Sequence, residues 1–424
     1  MSLDHQLLDE LAWRGLLFQH TDGLAEHLAS GSVSAYCGFD PTAPSLHVGN
    51  LVPVMGLMHL QRAGHKPIAL VGGGTGMIGD PSGKSSERSL QSLDVIAENA
   101  RLIGAQLERF LEFSGPSAAR MANNVDWLAP LGLLEFMRTT GKHFTVNYML
   151  AKDSVKSRLD AGISYTEFTY MLLQAHDYAE LHQRLGVTLQ IGGSDQWGNM
   201  TAGLELIRRT SGDEAHVFTC PLVTTASGQK FGKSEAGAVY LDPARTSPYK
   251  FYQFWLGADD RDAGSWLRLF TLLSRQEIMA LDEATATRAQ DRQAQRALAA
   301  DMTTRVHGDE VLRTVESISQ VLFGKGDPRE LGEATLRAMA DEVPFAEIDA
   351  PEDGAGVDAL DLVVHTGLAK SRGDAKRLVE QGGVSVNGAK VSMAERLVSS
   401  DAWLAGRHVL VKKGARDWGL VRVR

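Results

Sequence analysis

Residues 33–73 read VSAYCGFDPTAPSLHVGNLVPVMGLMHLQRAGHKPIALVGG, and this stretch decides the fold class. Residues 33–39 are mostly apolar and predict a strand. Residues 48–64 carry apolar side chains at helical spacing and stop at Gly64, which suits the end of a helix. Residues 65–73 supply a second buried strand. A helix between two consecutive strands predicts an α/β fold with an open, mainly parallel sheet.

Changes of pattern divide the 424-residue chain, which is too long for one compact core. Strands followed by helices recur through residues 1–225. Residues 226–325 become largely helical, and residues 326–356 are acidic and interrupted by proline and glycine, as in a linker. Residues 357–424 have a helix-and-strand pattern of their own, which predicts a small α+β domain.

The composition is ordinary for a globular protein, with 43% hydrophobic and 22% charged residues. The N-terminal segment lacks the basic-then-apolar pattern of a signal peptide, and no apolar run approaches the ~20 residues needed to span a bilayer. Cys37 and Cys220 are too few for a disulfide framework or a four-ligand zinc site. These features predict a cytoplasmic protein with no structural metal and no membrane partner.

The charge is distributed unevenly along the chain. The formal net charge is −9, which by itself argues against a nucleic-acid partner. Residues 357–424, however, hold 12 lysines and arginines against seven carboxylates, a net of +5, so the remainder carries −14. A basic module on an acidic body predicts that the C-terminal part meets a polyanion.

A glycine-rich stretch at residues 71–85, VGGGTGMIGDPSGKS, combines near-matches to two phosphate-binding motifs. Gly74 to Gly79 fits the G-x-G-x-x-G pattern of dinucleotide-binding proteins, but Gly83 follows where a helix should begin. The Walker loop needs four residues between its glycines, whereas Gly79 and Gly83 enclose three. Neither motif fits. A dinucleotide oxidoreductase stays a remote alternative, and binding of a nicotinamide cofactor would reveal it.

Two other loops suit a phosphate better. Residues 39–50, FDPTAPSLHVGN, lie between a strand and a helix, so His47 and Asn50 stand at the positive end of the helix dipole and Gly49 permits close approach. Residues 228–234, GQKFGKS, form a flexible loop with two lysines three residues apart. Ligands of open α/β sheets bind beyond the carboxyl ends of the strands, which is where the first loop falls.

These loops resemble the two signature elements of the class I aminoacyl-tRNA synthetases. HVGN at 47–50 is similar to the HIGH element, with asparagine in place of the second histidine, and KFGKS at 230–234 is similar to KMSKS. Three further segments resemble the tyrosine branch of that family: GDPSGK at 79–84, YTEFTYMLLQAHD at 165–177 and GGSDQWGN at 192–199. The resemblance covers nearly the whole chain.

The resemblance implies a domain organisation and a reaction. It implies a Rossmann-like catalytic domain at 1–225, a KMSKS-type loop with a helical anticodon-binding domain at 226–325, a linker at 326–356 and an S4-like RNA-binding domain at 357–424. The implied reaction joins L-tyrosine to ATP, giving tyrosyl-adenylate and pyrophosphate, and then transfers tyrosine to the 3′ end of tRNA(Tyr). Because the tyrosine carboxylate is itself the nucleophile, catalysis would rest on positioning and on stabilising phosphate charge.

The resemblance also implies roles for individual residues. Tyrosine binding is implied for Tyr36, Asp80, Tyr170, Gln174, Asp177 and Gln190. ATP binding is implied for Gly38, Asp40, Thr42, His47, Gly49, Gly192, Asp195, Gln196, Lys230 and Lys233. The catalytic set is His47, Asn50, Lys230, Lys233 and Ser234, with Lys84 and Arg88 as candidates to hold pyrophosphate. Tyr36 and Asp177 would hydrogen-bond the substrate phenol and so reject phenylalanine, a discrimination known for this family.

The basic C-terminal module resembles an S4-type RNA-binding domain over residues 362–388. Ser371 suits the N-cap of a helix, and Asn387-Gly388 suits a hairpin turn. The RNA-binding candidates are Lys370, Arg372, Lys376 and Arg377. Such a surface would contact phosphates by charge and shape.

Partners and alternatives follow from the same resemblance. It implies a homodimer, with L-tyrosine, ATP and tRNA(Tyr) as ligands and Mg²⁺ accompanying ATP without a dedicated protein cage. A tryptophanyl-tRNA synthetase shares the signature loops, but Tyr36, Asp177 and the S4-like tail disfavour it. An RNA-binding protein with an inactive site is a second alternative, and it predicts broken signature motifs.

Overall fold

The computed structural model describes residues 3–82, 91–160, 162–234, 237–351 and 356–424. Lys84 and Arg88 lie outside the described residues, as do the side chains of Lys233 and Ser234. The chain forms two compact units, one of Met1–Thr246 with Phe254–Val306 and one of Ser247–Gln253 with His307–Arg424. Throughout the described ranges, no helix combines the length and apolar character needed to cross a membrane.

The first unit is built on a six-stranded sheet. Its strands are β1 (Gln19–His20), β2 (Ser34–Phe39), β3 (Lys66–Val71), β4 (Arg120–Asn123), β5 (Val187–Gly193) and β6 (His216–Cys220). Its helices up to β6 are α1 (Leu3–Arg14), α2 (Leu24–Ala29), α3 (Leu51–Arg62), α4 (Leu93–Leu107), α5 (Val125–Leu128), α6 (Leu133–Thr139), α7 (Val146–Leu150), α8 (Asp153–Leu159), α9 (Tyr165–Leu185) and α10 (Trp197–Thr210).

The sheet has the order β1-β6-β5-β2-β3-β4. Strands β2 to β6 pair in parallel, and only the short edge strand β1 is antiparallel. The chain adds β3 and β4 on one side of β2 and then places β5 and β6 on the other side. A topological switch point therefore lies between β2 and β5, where ligands of open α/β sheets bind. The α/β fold with a mainly parallel sheet is as the sequence predicts.

The strands read as apolar runs because helices cover the sheet. In β3, KPIALV, every residue after Lys66 is buried, as expected for an inner parallel strand. The long helix α9 packs against α10, and buried Tyr178 and Met200 from these helices join strand residues such as Ile68 in one core. Ser164 caps the start of α9 through the Glu167 amide. This packing fixes the helix face that carries three of the predicted site residues.

The rest of the first unit follows β6. Strands β7 (Lys233–Ser234) and β8 (Gly237–Ala238) pair as a short antiparallel hairpin in the lysine loop. Helix α11 (Pro248–Leu256) is divided between the two units after Gln253, and the helices that follow are α12 (Asp260–Phe270), α13 (Arg275–Arg288) and α14 (Gln293–His307). Asp259 caps α12, and Ser274 and Glu277 form a capping box at α13. The predicted change to helical structure after the sheet is therefore present.

The second unit is a five-stranded sheet between two helical layers. Its helices are α15 (Asp309–Leu322), α16 (Glu333–Ala340), α17 (Ala359–His365) and α18 (Arg372–Glu380). Its strands are β9 (Phe345–Ile348), β10 (Val357–Asp358), β11 (Val384–Val386), β12 (Ala389–Lys390), β13 (Leu397–Val398), β14 (His408–Lys413) and β15 (Asp417–Val423), and the main sheet has the order β12-β11-β14-β15-β9. One face packs on α15 and α16, and the other packs on α17 and α18.

The described part of residues 326–356 is not the linker that the sequence predicts. Leu336 and Met339 of α16 are fully buried, and β9 pairs in parallel with β15 through the Phe345–Leu420 pair. The partners of this pair are far apart in sequence, so composition alone gives no sign of the pairing. Within the second unit, the segment contributes both a helix and an edge strand.

Local predictions for the C-terminal module agree with the structure. The Ser371 hydroxyl accepts a hydrogen bond from the Asp374 amide at the start of α18. Asn387 and Gly388 have φ of 48° and 85°, the left-handed pair that a type I′ hairpin turn requires between β11 and β12.

Candidate active site

A cleft of about 850 Å³ opens at the carboxyl ends of β2 and β5, at the switch point of the sheet. It brings together the described site residues that the sequence predicts for the catalytic unit: Tyr36, Gly38, Asp40, Thr42, His47, Gly49, Asn50, Asp80, Tyr170, Gln174, Asp177, Gln190, Gly192, Asp195, Gln196 and Lys230. These residues come from β2, β5, α9 and four loops, so the fold assembles a site from distant parts of the sequence.

One end of the cleft is buried and polar. Tyr36 on β2 stands opposite Gln190 on β5 in the sheet register, and both residues are buried. The Tyr36 hydroxyl and the Gln190 Oε1 atom have no hydrogen-bond partner within the described part of the chain. Buried polar atoms in proteins are nearly always paired. Two such atoms at the closed end of a cleft therefore indicate a ligand that supplies polar groups of its own.

Asp177 completes this end of the cleft. Its carboxylate accepts hydrogen bonds from Asn124 Nδ2 at 2.8 Å and from Trp127 Nε1 at 2.7 Å. Burial raises the pKa of the Asp177 carboxyl to about 7, against the lowering effect of those two donors. Burial, followed by the nearby Asp177 charge, raises the pKa of Tyr36 well above its ordinary value. Tyr36 is thus a neutral phenol beside an acid that titrates near neutrality.

A second carboxylate, Asp40, lies at the end of β2 and is fixed by two hydroxyl groups. Tyr170 donates to Asp40 Oδ2 at 2.8 Å, and Thr75 donates to Oδ1 at 2.7 Å. Asn124 Nδ2 in turn donates to the Thr75 hydroxyl at 2.9 Å. Asn124 therefore links the Asp40 and Asp177 carboxylates through one hydrogen-bond network.

Two further carboxylates, Asp80 and Asp195, lie near the end of β5. Gln196 Nε2 donates to Asp80 Oδ2 at 2.7 Å, while Asp80 Oδ1 accepts from the Ser82 amide. Burial, and then the neighbouring Asp80, raises the pKa of Asp195, whereas Lys230 lowers it. Asp40, Asp80 and Asp195 thus give the cleft a concentration of negative charge that suits a cationic group. An α-ammonium group has that charge.

The histidine loop leads into α3 through a 3-10 turn, Val48–Asn50, that begins with a capping box. The His47 amide donates to Asn50 Oδ1 at 3.0 Å, and the Gly49 amide donates to His47 Nδ1 at 3.0 Å. Because Nδ1 accepts, the neutral imidazole carries its proton on Nε2. A Cβ on Gly49 would lie 2.8 Å from His47 Cε1. Glycine is therefore needed here, since any other residue would displace the imidazole ring.

The lysine loop is connected to the histidine loop by backbone hydrogen bonds. The Val48 amide donates to the Val239 carbonyl, and the Val239 amide donates to the Gly232 carbonyl, each at 3.0 Å. His47 and Tyr240 form an antiparallel bridge beside these bonds. Lys230, on the lysine loop, is exposed and lines the cleft. The two signature elements therefore meet at one edge of the cleft.

The glycines at the nucleotide end differ in function. A Cβ on Gly38 would meet nothing within 4 Å, so this position leaves the cleft open. A Cβ on Gly192 would lie 2.9 Å from Met200 Sδ and 3.2 Å from Gln196 Cβ. Gly192 therefore makes room for Met200 and Gln196 at the start of α10.

The sequence interpretation missed Thr75, Asn124 and Trp127. Thr75 lies inside the glycine-rich stretch, and Asn124 and Trp127 follow β4, so each stands just beyond the carboxyl end of a strand. This position could have identified them as candidate site residues from the sequence, because ligands of parallel sheets bind there. Their targets, Asp40 and Asp177, are 35 and 53 residues away from Thr75 and Asn124 respectively.

The RNA-binding candidates lie in the second unit. Lys370, Lys376 and Arg377 are exposed, the last two on α18. Arg372 is held by Asp358 at 2.7 Å and also by Asp361, so its guanidinium is committed to two carboxylates. Weaker pairs join Lys376 to Glu380 and Arg377 to Asp374 at 3.8 and 3.7 Å. Arg372 is accordingly the least available of the four for a phosphate.

Comparison with known proteins places this architecture. The family model described as tRNA synthetases class I (W and Y) matches residues 29–324, and the model of the tyrosine–tRNA ligase SYY-like C-terminal domain matches residues 335–421. The tyrosine–tRNA ligase of Anaeromyxobacter dehalogenans is 53% identical over 418 residues, which cover 99% of each chain. That of Roseiflexus castenholzii is 49% identical over 421 residues, covering 98% of this chain and 99% of the relative.

Solved structures agree. A C-terminally truncated mitochondrial tyrosyl-tRNA synthetase from Aspergillus nidulans superposes with a TM-score of 0.69 at 30% identity, over 75% of this chain and 94% of that chain. A tryptophanyl-tRNA synthetase from Encephalitozoon cuniculi shares the fold, with a TM-score of 0.53 at 14% identity over 74% of this chain and 92% of that chain. The chain therefore belongs to the class I aminoacyl-tRNA synthetases. Within that class it belongs to the tyrosine–tRNA ligase family.

Proposed function

We propose that this protein activates L-tyrosine with ATP and transfers the tyrosyl group to tRNA(Tyr), using the cleft described above. The closed end of the cleft is the observation that carries the assignment of substrate. The Tyr36 hydroxyl, the Gln190 Oε1 atom and the Asp177 carboxylate converge there, and the first two have no partner in the described residues. A phenol hydroxyl supplies a donor and an acceptor to this group, which phenylalanine and the indole ring of tryptophan do not.

The negative charge of the middle of the cleft suits the substrate ammonium group. Asp80 and Gln174 line this part of the cleft, and the Tyr170 hydroxyl stands one helical turn before Gln174. Tyr170 donates to Asp40, so its hydroxyl oxygen can accept from the ammonium group while Asp40 holds it in place. The ammonium group then neutralises part of the carboxylate charge in this part of the cleft.

Bond formation follows from this placement. The tyrosine carboxylate attacks the α-phosphorus of ATP and pyrophosphate leaves. A ribose hydroxyl of the tRNA then attacks the tyrosyl carbonyl carbon of the mixed anhydride, and AMP leaves. The chain's task is to align the reactants and to stabilise the charge on the phosphates. His47 and Asn50 would donate from the start of α3, with Lys230 and Lys233 on the opposite loop and Ser234 beside them. Mg²⁺ would enter with the ATP phosphates as part of the substrate.

The nucleotide contacts complete the proposal. Gly38 leaves open space beside β2 for adenosine, and Thr42, Asp195 and Gln196 line the same part of the cleft. In the described residues no cluster of three or more histidine, cysteine or carboxylate side chains could hold a metal ion. Lys84 and Arg88, proposed to meet pyrophosphate, fall in the segment outside the described residues.

Pyrophosphate exchange tests the substrate assignment. We expect labelled pyrophosphate to enter ATP when L-tyrosine is present, and not with tryptophan or phenylalanine at the same concentration. Aminoacylation of tRNA(Tyr) then tests the second step. Exchange with tryptophan would refute the phenol assignment while leaving the class unchanged. Absence of exchange with any amino acid would refute activation itself.

We also propose that the protein acts as a homodimer. Four large apolar side chains between positions 133 and 165 are 61% to 79% exposed: Leu133, Leu134, Val146 and Tyr165. Exposed apolar groups of this size in one region indicate a protein interface. Sedimentation equilibrium should give twice the chain mass, and Leu134→Asp should shift it towards the monomer. Met279→Asp, at a comparably exposed position on α13, is the matched control and should leave the dimer intact.

A further inference from the structure

Helix α12 holds the segment that leads into the lysine loop (residues 228–234) through Asp262. Both carboxylate oxygens of Asp262 accept from the Ala226 backbone amide, at 2.9 and 3.1 Å. The Asp262 residue is only 7% exposed, although it stands in the first turn of its helix. A carboxylate in that turn would be stabilised by the helix dipole even if it faced solvent. Its burial against one loop amide therefore indicates a function directed at the loop.

The same helix holds the end of the loop through Phe231. The Phe231 ring is buried and packs at 4.9 Å from the ring of Trp266 and at 4.9 Å from that of Phe270, both on α12. The first contact is edge-to-face and the second is stacked, and both are favourable aromatic geometries. Phe231 immediately follows Lys230, so this anchor lies next to the cation that lines the cleft.

Between the two anchors the chain is exposed. Residues 227–230 have no buried side chain, and Gly228 adopts a left-handed φ of +79°. The Gly228 amide donates to the Thr225 carbonyl and the Thr225 amide donates to the Gln229 carbonyl, and Thr224 and Lys230 form an antiparallel bridge. The segment is therefore a short hairpin that α12 contacts at Ala226 and at Phe231. If the Ala226 anchor were lost, the hairpin would keep its internal hydrogen bonds and its Phe231 end, but its tip would no longer be fixed on α12 and we expect Lys230 to sample more positions.

We propose that Asp262 is a positioning residue for tyrosine activation: by clamping the Ala226 amide, it orders the loop that presents Lys230 to the phosphates of ATP. This inference rests on the proposed role of Lys230. The conformational entropy of the loop is lost when the protein folds, so ordering the loop does not add to the activation free energy of adenylate formation. Asp262 itself touches neither the cleft lining nor a reacting group.

The test compares Asp262→Ala with Asp262→Asn in tyrosine-dependent pyrophosphate exchange and in single-turnover formation of tyrosyl-adenylate. Asparagine retains one acceptor oxygen for the Ala226 amide, whereas alanine retains none. We expect Asp262→Ala to slow adenylate formation between ~10- and ~100-fold and to weaken ATP binding, with Asp262→Asn intermediate.

Tyrosine affinity, measured by equilibrium dialysis, should stay within twofold because the loop does not contact the phenol end. Asp260→Asn removes the same charge from the same helical turn without touching the loop, and it should leave the rate unchanged.

A double-mutant cycle with Lys230→Ala shows whether Asp262 acts through the lysine. If it does, Asp262→Ala should slow the Lys230→Ala protein by less than threefold, since the side chain that Asp262 positions is already absent. An equal slowing in both backgrounds would overturn the proposal and make Asp262 a general stabiliser of the unit. An unchanged rate in Asp262→Ala would overturn it as well. Failure of the proposed function differs from both outcomes, because the unmodified protein would then show no exchange with tyrosine.

Discussion

At the residue scale, the closed end of the cleft is defined by polar atoms that lack partners until a ligand arrives. Tyr36 and Tyr178 illustrate this, since both are fully buried tyrosines in the same core. The Tyr178 hydroxyl donates to the His216 carbonyl at 2.7 Å, whereas the Tyr36 hydroxyl has no partner among the described residues. A buried group without a partner costs stability. We therefore expect Tyr36 to be a recognition group and Tyr178 to be a structural one.

Removal of the hydroxyl should have opposite consequences at Tyr36 and at Tyr178. Tyr36→Phe should lower the preference for tyrosine over phenylalanine by ~10-fold, equivalent to about 1.4 kcal/mol, and should not lower the melting temperature. Exchange rates with both amino acids measure the preference. Tyr178→Phe should destabilise the fold, because it orphans a buried carbonyl, and should leave the preference unchanged. An unaltered preference in Tyr36→Phe would remove Tyr36 from the phenol site.

Asp177 predicts a pH dependence of tyrosine binding. Its carboxyl titrates at about 7 in the free protein because burial opposes its charge. A phenol hydroxyl that donates to the carboxylate stabilises the ionised form, so tyrosine binding lowers this pKa and releases a proton. Affinity is therefore full above pH 7 and falls as the pH drops through 7, by at most ~10-fold per unit.

Calorimetry in buffers of different ionisation enthalpy measures the proton released on tyrosine binding. We expect release near pH 6.5 for the unmodified protein and none for Asp177→Asn, whose amide does not ionise. Release that persists in Asp177→Asn would assign the titration to another group, and pH-independent affinity would contradict the predicted hydrogen bond to the phenol.

At the element scale, the glycine-rich stretch is explained by close packing. A Cβ on Gly72 would lie 2.1 Å from Asp40 Oδ1, and one on Gly73 would lie 2.4 Å from Asn123 Oδ1. These glycines let β3 end against side chains of neighbouring segments. Within the dinucleotide-like pattern, a Cβ on Gly74 would lie 2.8 Å from Leu128 Cδ1 and one on Gly76 would lie 2.9 Å from Pro41 Cδ, so the resemblance comes from packing. The order of strands and helices could be read from the sequence because apolar periodicity is local. The network of Thr75 and Asn124 could not, since its partners meet only in the folded sheet.

The lysine loop contains two glycines that make a matched pair. Gly228 and Gly232 both have φ of +79°, but a Cβ would meet nothing within 4 Å at Gly228 and Val48 Cγ2 at 3.0 Å at Gly232. Both alanine variants carry the left-handed strain of about 1–2 kcal/mol, and only Gly232→Ala also pushes against the histidine loop. We expect Gly232→Ala to slow adenylate formation at least ~10-fold more than Gly228→Ala, with tyrosine affinity unchanged in both.

Single-turnover rates at saturating tyrosine and varied ATP measure this difference. Equal rates for the two variants would show that the contact between Gly232 and Val48 does not matter for activation. A loss of tyrosine affinity in Gly232→Ala alone would show instead that the damage extends beyond the two loops into the closed end of the cleft.

At the scale of the whole molecule, the chain pairs an acidic catalytic part with a basic C-terminal part. Residues 357–424 carry +5 and the remainder −14, so by charge the C-terminal part is the one suited to a polyanion. The sequence shows this division, but it misplaces the boundary. Strand β9 and helix α16 belong to the same sheet-and-helix unit as the basic module, through the β9–β15 pairing and the buried Leu336. A cut after residue 350 would therefore expose the core that α15 and α16 share with β14 and β15.

Surface substitutions test the basic module without breaking that core. The triple change Lys370→Ala, Lys376→Ala and Arg377→Ala removes three exposed cations and leaves Arg372 with its carboxylates. If these side chains contact tRNA phosphates, the salt slope of tRNA binding should fall by about 2 to 3 and affinity should fall ~10-fold or more at physiological salt. Tyrosine-dependent pyrophosphate exchange should be unaffected, because activation needs no RNA.

A control variant with the triple change Lys325→Ala, Arg329→Ala and Arg337→Ala removes equal charge from another region of the same unit. A comparable loss in that control would assign RNA affinity to net charge, and a loss confined to the first variant would locate the RNA surface at α18.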